Sequence, residues 1–152
     1  MNVRTIALAL FTAICTSTMA QHTTERHRKV EVKESNTRWE ADIDTTQAHT
    51  LIHAERIAVS NGGPSMEKNV GNPMTFKLVN KAGEGRTVNS RAEGVVTIGG
   101  KPYYTAQLEL GLNEGTEMVW KKVPVVLMDR TAEEFRLIVG RDFTAGTYTV
   151  KD

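Results

Sequence analysis

The chain has 152 residues, of which 39% are hydrophobic and 24% charged, the composition of a soluble globular protein with one domain. Its net charge is only +1, so charge gives no reason to expect a nucleic acid or an anionic membrane as partner. The single cysteine, Cys15, excludes an intrachain disulfide and a cysteine-based metal site.

The first twenty residues have the pattern of an export signal. Arg4 precedes an apolar run from Ile6 to Ile14, which is too short to span a bilayer. Thr18-Met19-Ala20 places small residues at the positions that signal peptidase reads. We therefore predict a signal peptide at residues 1–20 and an exported protein, periplasmic or secreted, with no membrane attachment after cleavage. An uncleaved anchor is the alternative.

Residues 21–29 are polar and are expected to form a flexible lead-in, followed by one domain over residues 30–152. Apolar residues then alternate with charged ones, which is typical of half-buried strands. The alternating positions are Val30, Val32, Trp39, Ala41 and Ile43. Leu51, Ile52 and Ala54 indicate a further strand after the loop that begins at Asp44.

The middle of the chain reads as hairpins. Residues 58–73 carry Gly and Pro clusters and predict a loop. Met74 to Val79 predicts a strand that turns at 82–85 and returns over Arg86 to Arg91. The strongest hairpin signal is Gly99-Gly100 between two strand patterns, since glycine accepts the positive φ of a tight turn.

The C-terminal third predicts three more strands and one helical turn. Val123 to Met128 and Leu137 to Val139 are nearly continuous apolar runs, and Tyr148 and Val150 alternate with threonines. Thr131 and Glu134 have the spacing of a capping box. The fold class that follows is all-β, a small closed barrel with at most one or two short helical turns.

Two segments about a hundred residues apart resemble the retropepsin-like aspartic peptidases. They are Ala41-Asp42-Ile43-Asp44-Thr45-Thr46 and Leu137-Ile138-Val139-Gly140-Arg141-Asp142, which look like that family's strand ending in Asp-Thr/Ser-Gly and its later Gly-Arg-Asp/Asn strand. Ile98-Gly99-Gly100 is similar to a hairpin of the bacterial branch labelled "ATP-dependent zinc protease". The resemblance covers roughly residues 30–150.

This resemblance implies an endopeptidase acting on a peptide or protein substrate, with the retropepsin barrel and no metal or other cofactor. Asp44 is the one candidate catalytic residue, so two chains would each donate it in a homodimer. Thr45, Thr46, Gly140, Arg141 and Asp142 would support the active-site loop. A flap would come from Met74 to Val88, with Gly83 and Gly85 giving it mobility.

The residues leave other interpretations open. Thr46 stands where the family has glycine, and a β-branched residue resists unusual φ angles, so the alternative is a weak or inactive β-module that binds a peptide or envelope partner. Asp44 could also be a surface aspartate that caps a turn. Asp42 could pair with Asp44 within one chain, and His49 with His53 could bind zinc if they lay on a helix.

Overall fold

The computed structural model describes residues 22–151 and consists mostly of strands, which confirms the all-β prediction. The predictions for the signal peptide at residues 1–20 lie outside the described residues. The strands are β1 His22–Glu25, β2 His27–Val32, β3 Thr37–Ile43, β4 Thr50–Val59, β5 Pro73–Val79, β6 Gly85–Arg91, β7 Gly94–Ile98, β8 Lys101–Glu114, β9 Glu117–Met128, β10 Leu137–Val139 and β11 Tyr148–Lys151.

Six strands close into a barrel in the order β10-β3-β2-β8-β9-β4, and β4 pairs with β10 to complete the circle. The barrel has two similar halves, β2-β3-β4 and β8-β9-β10. In each half the first two strands form an antiparallel pair, and the third strand crosses over to pair in parallel with the other half. Because of this crossing, β10 pairs with the last residues of β3, with Val139 opposite Ile43.

The barrel interior contains the alternating apolar side chains that the sequence pattern predicts. On β3, Trp39, Ala41 and Ile43 are at most 1% exposed, while Arg38 and Glu40 face solvent. Each fully buried large side chain contributes about 1.5–3 kcal/mol relative to an exposed one. The face of β3 that carries Asp42 and, one step beyond the strand, Asp44 is therefore fixed by the burial of the opposite face.

Two hairpins extend the sheet beyond the barrel. β5 pairs with β4 and β6 with β5, while β7 pairs with β8 through Gly99 and Gly100, whose φ angles are 59° and 80°. Two consecutive positive φ angles are the signature of a type I′ turn, so the predicted Gly-Gly hairpin is confirmed. The β8–β9 turn at Gly115, with φ 72°, was not predicted.

β1 and β11 form a separate two-stranded parallel sheet, with His22 opposite Tyr148 and Glu25 opposite Lys151. Residues 22–25 are thus a strand and 27–29 begin β2, which differs from the flexible lead-in predicted for 21–29. The polar composition misled the prediction because these strands pair through their backbones. A two-stranded sheet is marginally stable by itself.

In the described part of the chain, helical structure is confined to two short turns. The capping-box prediction at Thr131 is wrong, because Asp129 accepts hydrogen bonds from the Thr131 amide and hydroxyl and closes a tight turn instead. The short α-helix is α1, Arg141–Thr144, and a 3₁₀ turn covers Glu67–Asn69. Within residues 22–151, none of the helices has the length and apolar character that crossing a membrane requires.

Candidate active site

Asp44 begins the loop after β3 and is held by backbone hydrogen bonds at both of its ends. Its amide donates to the carbonyl oxygen of Val139 on β10 at 2.9 Å, and its own carbonyl oxygen accepts from Gln47 at 3.2 Å. The loop is therefore tied to the strand that passes beneath it, and the position of Asp44 is set by the barrel.

The carboxylate of Asp44 is oriented by Thr46. The Thr46 amide donates to Asp44 Oδ1 at 2.9 Å, and its hydroxyl donates to the same oxygen at 2.6 Å. Hydrogen bonds to the charged form of a carboxyl favour that form. The Thr46 hydroxyl bond is the main reason that the pKa of Asp44 lies below its ordinary value.

Thr46 fits this loop without the left-handed backbone that glycine would allow. Among the described residues, the non-glycine residues with positive φ are Asn36, Arg56 and Asn61. Thr46 is exposed and has no such strain. Thr46, which stands where the retropepsin-like motif has glycine, thus places a hydroxyl donor beside Asp44 at no cost in backbone strain.

Gly140 lies directly against the Asp44 loop. A Cβ atom on Gly140 would stand 2.6 Å from the carbonyl oxygen of His49 and 2.8 Å from that of Gln47. The next residue, Arg141, donates its amide to the Gln47 oxygen at 2.8 Å. Only glycine permits this approach of two backbones.

Thr50, the first residue of β4, is hydrogen-bonded to Gly140, the residue after β10. The buried Thr50 hydroxyl accepts from the Gly140 amide at 3.1 Å and donates to Asp142 at 2.5 Å. Asp142 also accepts from the Thr50 amide at 3.0 Å. Thr50 was missed at the sequence level, because a threonine at the beginning of a strand carries no signal that its hydroxyl is buried.

Arg141 and Asp142, which the resemblance assigns to the support of the active-site loop, make separate contacts at its two ends. The Arg141 guanidinium donates to the carbonyl oxygens of Thr46 at 3.2 Å and Thr45 at 3.4 Å. Asp142 binds Thr50 as described above. Arg141 thus fixes the Asp44 loop through its backbone, and Asp142 fixes Thr50, the first residue of β4. The Thr45 side chain is exposed.

Asp42 is occupied elsewhere and does not pair with Asp44. Its carboxylate binds Arg26 Nε at 2.8 Å, and His27 Nε2 lies 3.7 Å away. The Asp42 residue is 8% exposed, so Arg26 supplies the compensating charge that a buried carboxylate needs. Arg26 was not singled out from sequence, where it lies in the polar segment before β2.

An apolar cluster lies next to the loop, on the side of the strands opposite the barrel core. Its buried members are Leu51, Val126 and Ile138, and Ile138 is paired with Asp42 two residues before Asp44. Partly buried side chains pack against them: Val96, Ile98, Tyr103, Met128 and Phe135. The β7–β8 hairpin therefore covers an apolar surface beside the candidate carboxylate.

The segment predicted as a flap is placed elsewhere. Asn80, at the end of β5, donates to the carbonyl oxygen of Arg38 at 2.9 Å, and Lys81 donates to that of Glu134 at 2.9 Å. Arg38 precedes Asp44 by six residues of extended strand, about 20 Å. Gly83 and Gly85 thus belong to a hairpin tip fixed near the start of β3, which differs from the predicted flap over the loop.

The histidines give no zinc site. His53 is completely buried in β4, where Nδ1 accepts from the Arg130 amide at 2.9 Å and Nε2 lies 3.0 Å from Glu55. Across residues 22–151, no group of three or more potential ligands lies together in a way that could hold a metal ion.

Asp44 is not among the residues that line the five most prominent surface cavities of residues 22–151. The largest, about 500 Å³, is lined by Trp120, Lys33 and Arg38 among others. Trp120 is 40% exposed and lies over Gly111, whereas Trp39 is in the core. One chain therefore presents Asp44 on an open surface, and a substrate cleft would need a second wall.

Comparison with known proteins gives a structural neighbour and no family. A protein of unknown function (DUF785) from Legionella pneumophila superposes with a TM-score of 0.68 at 17% sequence identity, covering 87% of this chain and 94% of that one. No family model matches the chain, and no curated protein matches it. The neighbour shows that the barrel fold recurs in another protein and carries no function with it.

Proposed function

We propose that this chain is an exported aspartic endopeptidase of the retropepsin-like kind, active as a homodimer in which each copy donates Asp44. The observation that carries the proposal is the seating of the Asp44 loop on Gly140, with the Asp44 amide bound to Val139. This geometry presents one ionised carboxylate, rigidly held, at an open surface of the barrel.

A second carboxylate must come from a second copy. Asp42 is neutralised by Arg26. Asp129, the other aspartate that follows a barrel strand, lies at the end of β9 in the other half of the barrel. A twofold axis beside the loop would bring Asp44 against its own equivalent, which is the self-complementary arrangement of a cyclic dimer.

The β1–β11 sheet is a suitable surface for that second copy. Residue Arg26 follows β1, and its carbonyl oxygen accepts from the amide of Ile43, the residue before Asp44, at 2.6 Å. β11 follows α1, which begins directly after Gly140. Among residues 22–151 this sheet has two strands. It therefore lies near the loop, at a place where another chain could add to it by backbone pairing.

The chemistry expected of two such aspartates is proton transfer to and from water and substrate. Two carboxylates in contact cannot both ionise easily, so they share one proton. The ionised carboxylate accepts a proton from water as the water oxygen bonds to the scissile carbonyl carbon, and the protonated one donates to the carbonyl oxygen. Transfer of a proton to the leaving nitrogen then completes cleavage of the C–N bond.

The apolar cluster supports a role for the β7–β8 hairpin in substrate binding. Val96 and Ile98 on β7 pack against this cluster, whose buried members are Leu51, Val126 and Ile138. A short hairpin with a Gly-Gly tip can open and close over a bound chain. We assign the flap role to this hairpin, in place of the β5–β6 segment.

The test combines cleavage with solution mass. Purified protein without residues 1–20 is incubated with a mixture of extended peptides at mildly acidic and neutral pH, and products are identified by mass spectrometry. We expect cleavage, a dimeric mass, and a loss of about a thousandfold or more in Asp44→Asn. The matched control is Asp129→Asn, which changes an aspartate in the same kind of turn and should leave the rate unchanged.

Two results would contradict the proposal. Equal cleavage by wild type and Asp44→Asn would place the activity elsewhere, and absence of cleavage by a well-folded dimer would reject the enzyme. The export part is tested separately by expressing the full chain in a bacterium with a periplasm. The recovered protein should have a mass that corresponds to cleavage after Ala20, and a full-length mass would reject it.

A non-catalytic module that binds a peptide or envelope partner is the second candidate. The observation in its favour is that Asp44 has the same two bonds within its turn that Asp129 has, at the same distances of 2.9 and 2.6 Å. A peptide that binds at the apolar cluster and is recovered intact would favour this module.

A further inference from the structure

Two turns of the same construction provide an internal comparison for Asp44. In Asp44-Thr45-Thr46 and Asp129-Arg130-Thr131, the threonine donates both its amide and its hydroxyl to the aspartate Oδ1. In both turns the pKa of the aspartate is below its ordinary value, and the threonine hydroxyl is the first cause. The chain therefore contains the Asp44 arrangement twice, once at the candidate site and once away from it.

The hydroxyl is the part of this arrangement that the family motif lacks. A glycine in place of Thr46 would keep the amide donor at 2.9 Å and lose the hydroxyl donor at 2.6 Å. A hydroxyl donating to a carboxylate is a charge-assisted bond, about twice as strong as a neutral one. Protonation of Oδ1 would weaken this bond, so Thr46 opposes uptake of a proton by Asp44.

In a dimer, each Thr46 would oppose protonation of the Asp44 in its own chain. The mechanism proposed above needs one Asp44 protonated and its equivalent ionised. Each Thr46 hydroxyl favours the ionised form, so the singly protonated pair forms at lower pH than it would with glycine or valine at that position. The proton that is shared would then reside on Oδ2, because Oδ1 already accepts two hydrogen bonds.

We propose that Thr46 is a positioning residue that keeps Asp44 ionised and moves the working pH range of the paired carboxylates towards acid. The second part rests on the proposed function, whereas the first is a property of one chain. Thr46 is exposed and its φ is not positive, so it can be replaced without disturbing the barrel.

The experiment compares Thr46→Val, which keeps the shape without the hydroxyl, with Thr46→Ser, which keeps the hydroxyl. The titration of the Asp44 carboxyl group is followed by NMR, through the chemical shift of its side-chain carboxyl carbon, at concentrations where the chain is monomeric. We expect the midpoint of Asp44 to move upward in Thr46→Val and to remain near wild type in Thr46→Ser. In cleavage assays, the pH above which the cleavage rate falls should be higher in Thr46→Val only.

The control is Thr131→Val, which should raise the midpoint of Asp129 and leave both Asp44 and the pH profile unchanged. An unchanged Asp44 midpoint in Thr46→Val would overturn the proposal. A raised midpoint with an unmoved pH profile would overturn its second part. If no variant cleaves any peptide, the proposed function fails together with that second part, and the titration alone decides whether Thr46 holds Asp44 ionised.

Discussion

Gly140→Ala tests whether the close contact between β10 and the Asp44 loop is a structural requirement. An added Cβ would meet the carbonyl oxygen of His49 at 2.6 Å, its carbonyl carbon at 2.7 Å and the Gln47 oxygen at 2.8 Å. All three are backbone atoms, so no side chain can turn aside to make room. The clash has to be relieved by moving the loop or the strand.

The size of that movement sets the expected cost. The 2.6 Å separation is about 0.8 Å short of the 3.4 Å at which ordinary van der Waals contact begins. Such a shift would strain the Arg141 to Gln47 bond, now 2.8 Å, and the Gly140 to Thr50 bond, now 3.1 Å. Overpacking of this kind costs about 1–3 kcal/mol, and weakening of a buried hydrogen bond adds to it.

The free energy of unfolding from urea titration measures the effect. Gly63→Ala is the matched control, because nothing lies within 4 Å of its added Cβ and its φ is not positive. There alanine should be neutral or stabilise by about 0.4–1 kcal/mol through the unfolded state. If the free energies of unfolding of Gly140→Ala and Gly63→Ala agree within about 0.5 kcal/mol, the loop can move at no cost and Gly140 does not position Asp44.

Two further predictions concern the residues around this loop and the terminal sheet. Asp142→Ala should lower the free energy of unfolding by about 1.5–3 kcal/mol, since it leaves the amide and hydroxyl of buried Thr50 without their acceptor, and Asp142→Asn should lose less. Burial, followed by the charge of Glu114, raises the pKa of Tyr148 to about 12 from an ordinary 10.0. The stability that un-ionised Tyr148 contributes is thus complete below pH 10 and is lost as the pH rises towards 12. Between these pH values, the melting temperature should therefore fall less in Tyr148→Phe than in wild type.

Period-two alternation predicted the barrel strands β2 and β3, and nearly continuous apolar runs predicted β10 and the end of β9. Burial of Val30, Val32, Trp39, Ala41 and Ile43 has an energetic cause that is visible in single residues, because each apolar side chain gains by leaving water wherever its strand pairs. The Gly99-Gly100 turn was predictable for the same reason, since positive φ at both positions is a local property.

What could not be predicted depends on contacts between distant segments. No residue pattern indicated that Asn80 would bond to Arg38 and hold the β5–β6 tip away from Asp44. Neither did it indicate that Thr46 would donate a second hydrogen bond to Asp44 without backbone strain. Strand pairing of polar residues such as His22 with Tyr148 is likewise carried by backbone groups, which every sequence contains.

The pairing register explains why one chain cannot supply two equivalent aspartates. Leu137 on β10 faces Ile52 on β4, and these two residues pair in parallel with Ala41 and Leu127 respectively. Ala41 and Leu127 are therefore equivalent positions in the two halves of the barrel.

Three residues further along, the first half has Asp44 and the second has Arg130. The Arg130 amide is bound to buried His53, so this position serves the packing of the second half, and Asp129 is one residue out of register with Asp44. If Asp44 acts as half of a carboxylate pair, its partner has to be Asp44 of another copy. A cleaving protein that remained monomeric at every working concentration would contradict this conclusion, whatever the outcome at Thr46.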